Sequence, residues 1–349
     1  MKIGIIPAEI MRIKMKFERI ILLALTTALI SYSFAVESIE FNGDGLKSIT
    51  IQKPALYPEG IDYNPITDRF IVGSFRDGGV YEVNLDGSYH QLIDDKRLNS
   101  VLAVRVDAAR NKLFVVNSDI GSSINHYSKG PRKLASLGIY ELSSGRSIDF
   151  INLGDLSLTK THLANGMTLD SDGNVYVTDS FSPTIYKIDS DGHASIFLEN
   201  DRFLGDGINL NGIVFHPDGY LIAVKKGEGV LFKIPLNKPQ AFTEIHSTEK
   251  FIGGDGLVLI NNNELVVIAN RANGKVTETV FTLNSRDNWQ SAKITKKLQF
   301  GKVYLTTGVI RKGSIYVMHS NLKALMLAPS AEKGKLNVKA TIQQIGRVH

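Results

Sequence analysis

Short runs of apolar residues, alternating with smaller or polar ones and closed by polar turns, recur along most of the chain. Between Leu163 and Ser180, Met167, Leu169, Val175 and Val177 alternate around Ser171-Asp172-Gly173-Asn174, which predicts two strands joined by a turn. This hairpin opens on Asn165-Gly166, two residue types depleted inside strands, so its root needs a local explanation.

The same arrangement is found elsewhere. Glu59-Gly60 precedes a turn at Asn64–Asp68 and a strand at Arg69–Val72. Asn211-Gly212 precedes His216-Pro217-Asp218-Gly219 and Tyr220–Val224, and Asp255-Gly256 precedes Asn261–Asn263 and Glu264–Ile268. Two further copies keep the hairpin and lose the polar root: Leu102–Val106 with Lys112–Val116, and Thr307–Ile310 with Ser314–Val317. The six roots stand roughly 45 to 60 residues apart, a spacing typical of propeller repeats. Material for two more strands follows each, for example Gly79–Val83 with Ser88–Leu92, and Thr184–Ile188 with His193–Phe197.

Four short antiparallel strands per repeat predict an all-β fold, a six-bladed β-propeller with little helix. An open terminal blade would expose unpaired strand edges, so Leu46–Ile51 and Val338–Ile342 are expected to complete one blade together. The insert from Asp119 to Leu137, rich in Ser, Gly and Lys, predicts a loop over one rim.

Residues 1–35 stand apart from this pattern. Lys14, Lys16 and Arg19 lead into the apolar run Ile20–Ile30, and Ser33-Phe34-Ala35 supplies a small-x-small pattern, which together read as a signal peptide. An uncleaved anchor is the alternative, and Met11 or Met15 would serve equally as a start. The reading gives a leader at 1–35, a single propeller domain at 36–349 and a secreted or periplasmic location. Removing the leader's five basic and two acidic residues from 40 and 35 leaves 35 and 33, a balance that offers no case for nucleic-acid binding. The absence of cysteine excludes disulfides, thiolate metal sites and a cysteine nucleophile.

The innermost strands of a propeller line its central channel, so Glu59, Asn165, Asn211 and Asp255 are expected to converge there. Two carboxylates and two amides crowded together call for a hard cation. Ca²⁺ takes such oxygen ligands, whereas zinc is disfavoured without a cysteine or a histidine at a root. A tight turn is the plainer reading of any one Asx-Gly pair.

In these four roots and their order, across roughly residues 55 to 320, the chain resembles the calcium-dependent six-bladed propellers that include gluconolactonase, regucalcin, paraoxonase and diisopropyl fluorophosphatase. The resemblance implies a catalytic calcium held by Glu59, Asn165, Asn211 and Asp255, and hydrolysis of lactones, other esters or organophosphates. It also makes Asp255 the general base or nucleophile. The second root, Ser100-Val101-Leu102-Ala103, lacks the polar or histidine residues of those relatives, and the sixth is Thr306-Thr307. A more apolar substrate than a sugar lactone is therefore expected. His162, three residues before Asn165, is a second catalytic candidate, and His126 in the insert a weaker one.

The leading expectation is an exported, monomeric, calcium-dependent hydrolase of a small lactone or ester. Its rivals are a non-catalytic propeller that binds a ligand or partner on a rim with a structural calcium, and a metal-free lyase or condensing enzyme on the same fold.

Overall fold

The computed structural model describes residues 39–40, 46–125, 127–272, 274–328 and 338–348. The leader, His126 and the 329–337 connection lie outside them.

Six antiparallel sheets, five of four strands and one whose outer edge is two short strands, form the blades of a propeller, as the pattern predicts. The inner strands are Pro58–Asn64, Ser100–Asp107, Ala164–Leu169, Leu210–His216, Gly254–Asn261 and Leu305–Arg311. Each contacts the inner strand of the next blade, and the sixth contacts the first, which closes the ring. Second strands such as Tyr220–Lys225 and Lys112–Ser118 are buried almost throughout, because a neighbouring blade covers each face. Outer strands such as Lys293–Gln299 alternate between exposed and half-buried positions, since one face meets solvent.

The sixth blade is shared between the chain's two ends. Ser48, Ile49 and Thr50 pair antiparallel with Gln343, Ile342 and Thr341, and Ile39-Glu40 pairs further along the same strand, Thr341–Val348. One short helix, Leu322–Leu327, follows the second strand of this blade and packs Leu322 and Leu325 into the apolar cluster of blades 1 to 3. The insert is shorter than expected, because Ala135–Glu141 is already the third strand of blade 2. Its described residues are tied to blade 1 by Ser123 Oγ donating to the Arg76 carbonyl (3.0 Å) and to blade 3 by the His162 amide donating to the Arg132 carbonyl (2.8 Å).

One buried titratable group makes stability fall in acid. His319 ends the second strand of blade 6, packed edge-on to Phe300, with its Nε2 lacking a hydrogen-bond partner among the described residues. Burial pushes its pKa down to about 4. The unfolded chain therefore takes up a proton first, and stability is lost as pH falls from about 6.5 to about 4, by of order 2–3 kcal/mol. Denaturant melts at pH 7 and pH 4.5 should show this loss, and His319→Met should remove most of it.

Candidate functional site

Every inner strand carries an irregularity at the same place. Its register against the second strand slips between Pro58 and Ile61, Val101 and Ala103, Ala164 and Met167, Leu210 and Ile213, Gly254 and Gly256, and Leu305 and Gly308. A bulge bends a strand and re-aims the extra residue's side chain. Glu59, Asn165, Asn211 and Asp255 all fall inside these slips, and so do Leu102 and Thr306 in the two blades without a polar root. All six line one small space at the channel's end, about 30 Å³, room for an ion or a water or two but not for an organic substrate. The convergence expected of the four roots is thus present.

The glycines after the roots answer to the ring rather than to the ligand. A Cβ on Gly166 would collide with the carbonyl oxygen of Asn211, and one on Gly212 with the carbonyl oxygen of Asp255. Each bulge therefore nests against the backbone of the next blade's root, an approach only glycine permits.

Asp255 is the most heavily engaged of the four. Its Oδ1 accepts from the Asn211 amide and lies 2.9 Å from Lys226 Nζ, and its Oδ2 accepts from the Asn270 amide. Lys226 Nζ also donates to Asn270 Oδ1 at 2.6 Å. Burial raises the Asp255 carboxyl, opposed by Lys226, Asn270 and Asn211, which all favour the charged form. Glu59 is raised well above the ordinary range, first by burial and then by the Asp255 charge, with Lys226 opposing.

The remaining oxygens of the set are acceptors without donors. Asn165 gives its amide hydrogen to Ser180 Oγ (3.0 Å) and Asn211 gives its own to Asp255, which leaves each side-chain carbonyl facing no donor among the described residues. The Glu59 carboxylate likewise receives no hydrogen bond from them. An acceptor-rich cluster around an ion-sized space suits an oxygen-seeking cation, so the residues present fit calcium.

His162 is placed differently. It is buried under blade 3 with Nδ1 2.8 Å from Asp179 Oδ2 and Nε2 3.1 Å from the Thr159 carbonyl, and it does not line the channel space. Asp179 in turn accepts from the amides of Leu163, Phe181 and Ser182. This network holds the entry to blade 3 and leaves neither ring nitrogen free for a substrate. His162→Gln is expected to cost about 1–3 kcal/mol of stability by stranding buried acceptors, with turnover of the folded fraction unchanged. Melts and specific activity measured side by side check it.

Sequence reasoning missed Lys226, Asn270, Glu278 and Tyr304. Lys226 and Asn270 stand at the ends of the second strands of blades 4 and 5, where a polar residue closing an apolar run was the only signal. Glu278 accepts from the Leu305 amide at 2.9 Å, and Tyr304 immediately precedes the sixth inner strand. Both line a larger cavity on the same rim, about 290 Å³, together with Arg271, Lys302, Lys323 and Leu327. Tyr304 is near enough to the channel for Asp255 and Glu59 to raise its hydroxyl further than burial alone does. A separate acidic cluster, Asp189, Asp191 and His193, belongs to an exposed turn between the two outer strands of blade 3 and does not line the channel space.

No protein family defined by sequence matches the chain, and no curated protein does. Solved structures do. The allergen Mala s 1 of Malassezia sympodialis is similar over 85% of this chain and 95% of its own, with a TM-score of 0.66 and 19% identity. A luciferin-regenerating enzyme is similar over 86% and 95%, with a TM-score of 0.58 and 12% identity. A candidate gluconolactonase is similar over 88% and 95%, with a TM-score of 0.58 and 13% identity. The fold is common ground. Identities this low establish the six-bladed propeller and nothing finer.

Proposed function

We propose that the chain is a hydrolase of a small ester or lactone that works at the mouth of the channel with calcium held by Glu59, Asn165, Asn211 and Asp255. One observation carries the reading: three accepting groups without donors stand beside a charged carboxylate around a space the size of an ion. Two of the similar structures, a luciferin-regenerating enzyme and a candidate gluconolactonase, lend it support as enzyme-like uses of the fold. A divalent cation bound there supplies Lewis-acid polarisation of a substrate carbonyl and stabilises the charge that develops on it.

The chain's own residues do the rest. Asp255 is held in one orientation by three donors, and it takes the proton of the water that attacks the carbonyl carbon. Asn270 and Lys226 fix it from behind. The channel space is too small for the substrate, so we place its body in the 290 Å³ cavity beside the sixth root, which Tyr304 and the apolar Leu327 help to line. The apolar Leu102 at the second root, which lines the channel space where a polar residue could have stood, favours an apolar substrate. Export behind residues 1–35 belongs to the same reading.

Turnover of a panel of aryl esters and aliphatic lactones tests it, with chelator-stripped protein assayed before and after calcium is returned. Hydrolysis that vanishes with chelator and returns with calcium is expected. Chelator-resistant hydrolysis would remove the metal from the reading, and an inert panel, with calcium present, would favour the rim-binding alternative.

A further inference from the structure

Lys226 is unusual in its surroundings. Its side chain is 4% exposed, and its ammonium lies 2.9 Å from Asp255 Oδ1 and 2.6 Å from Asn270 Oδ1, beside the channel space rather than in solvent. The backbone leaves it little choice of position. The Lys226 amide donates to the Asn209 carbonyl at 2.9 Å, and its carbonyl accepts from the Gly253 amide at 3.0 Å, so one peptide is pinned to the strand entries of blades 4 and 5. Lysine is almost never fully buried unless paired, and here its partner is the aspartate of the candidate cation site.

We propose that Lys226 is a resident cation of this site, which cancels one of its two negative charges and makes it a weak, replaceable metal site rather than a tight structural one. This rests on the metal reading above. Counted as ionised ligands around a bound cation, Glu59 and Asp255 bring a charge of −2 to the four-oxygen set, and Lys226, 2.9 Å from Asp255, reduces it to −1. Calcium affinity is tuned by ligand charge count and by rigidity, and Lys226 acts chiefly on the first, because Asn211 and Asn270 still hold Asp255 when it is replaced. A fixed positive charge on one oxygen of Asp255 also leaves that oxygen less able to coordinate. The chemical consequence is that Asp255 keeps a paired cation when the metal is absent, so the fold does not depend on calcium. Calcium then acts as an exchangeable cofactor whose supply governs activity.

Calorimetric titration of calcium into the chelator-stripped full chain tests this, with wild type beside Lys226→Gln, Lys226→Met and Lys226→Arg. The expected result is weak one-site binding in wild type and in Lys226→Arg, and binding at least about tenfold tighter in Lys226→Gln, lost again when Glu59→Gln is added. Circular dichroism confirms which variants are folded. Lys226→Met, which replaces the stem without a polar head, serves if Lys226→Gln unfolds. Equal affinity in wild type and in the neutral variants would overturn the role of Lys226 while leaving the metal reading intact. Absence of binding in all folded variants would overturn the metal reading itself, and with it this proposal. Tight wild-type binding accompanied by a large calcium-dependent rise in melting temperature would also overturn it, since it would make the metal structural.

Discussion

Asp255→Ala is expected to abolish hydrolysis and to lower stability by about 3–5 kcal/mol, the range for removing one partner of a buried ion pair. The two losses have one origin. Lys226 would keep its ammonium buried with only Asn270 as a close partner, and the amides of Asn211 and Asn270 would each lose an acceptor. Asp255→Asn preserves the shape and one carbonyl acceptor, but it leaves the Lys226 ammonium without its anion, so it should recover only part of the lost stability, while the base and one negative ligand are gone. Turnover in Asp255→Asn within about tenfold of wild type would take Asp255 out of the chemistry. Specific activity at saturating calcium, measured with denaturant melts on the same preparations, decides between them.

Gly212→Ala is the second large effect, and it comes from the backbone alone. The added Cβ would meet the Asp255 carbonyl oxygen and lie 3.0 Å from the Leu257 amide nitrogen, both main-chain atoms of the next blade. Neither can yield without moving the bulge that carries Asp255. A cost of about 2–3 kcal/mol is expected, as for overpacking a rigid interior. Weakened calcium binding should accompany it, although no ligand has been changed. Gly301→Ala is the matched control, because nothing lies within 4 Å of a Cβ there, and it should stay within about 0.5 kcal/mol of wild type.

The fold was legible because each blade repeats one economical pattern: an apolar second strand covered on both faces, an outer strand half in water, and turns rich in Asx and Gly. Most strand positions followed, and so did the completion of one blade by the chain's two ends, although its last strand runs Thr341–Val348, beyond the expected Val338–Ile342. The four polar roots were legible for the same reason, since a polar residue at a fixed place in a repeat must point at whatever the repeats share. The bulges that turn those side chains into the channel have no signature beyond the following glycine, which could equally have marked a turn. Lys226 and Asn270 were hidden because they stand at strand ends, where polar residues usually face solvent. Only the three-dimensional return of those ends to the channel brings them to Asp255. His162 misled through chain proximity: three residues from Asn165, it turns instead toward Asp179, whose carboxylate gathers the amides entering blade 3.

The most direct measurement of the central claim is the anomalous difference density of a crystal of the protein soaked in saturating calcium. One peak is expected at the channel's end, within about 2.3–2.6 Å of oxygens from Glu59, Asn165, Asn211 and Asp255. Density confined to the exposed turn of Asp189, Asp191 and His193, or none anywhere, would contradict a calcium site built from the four roots.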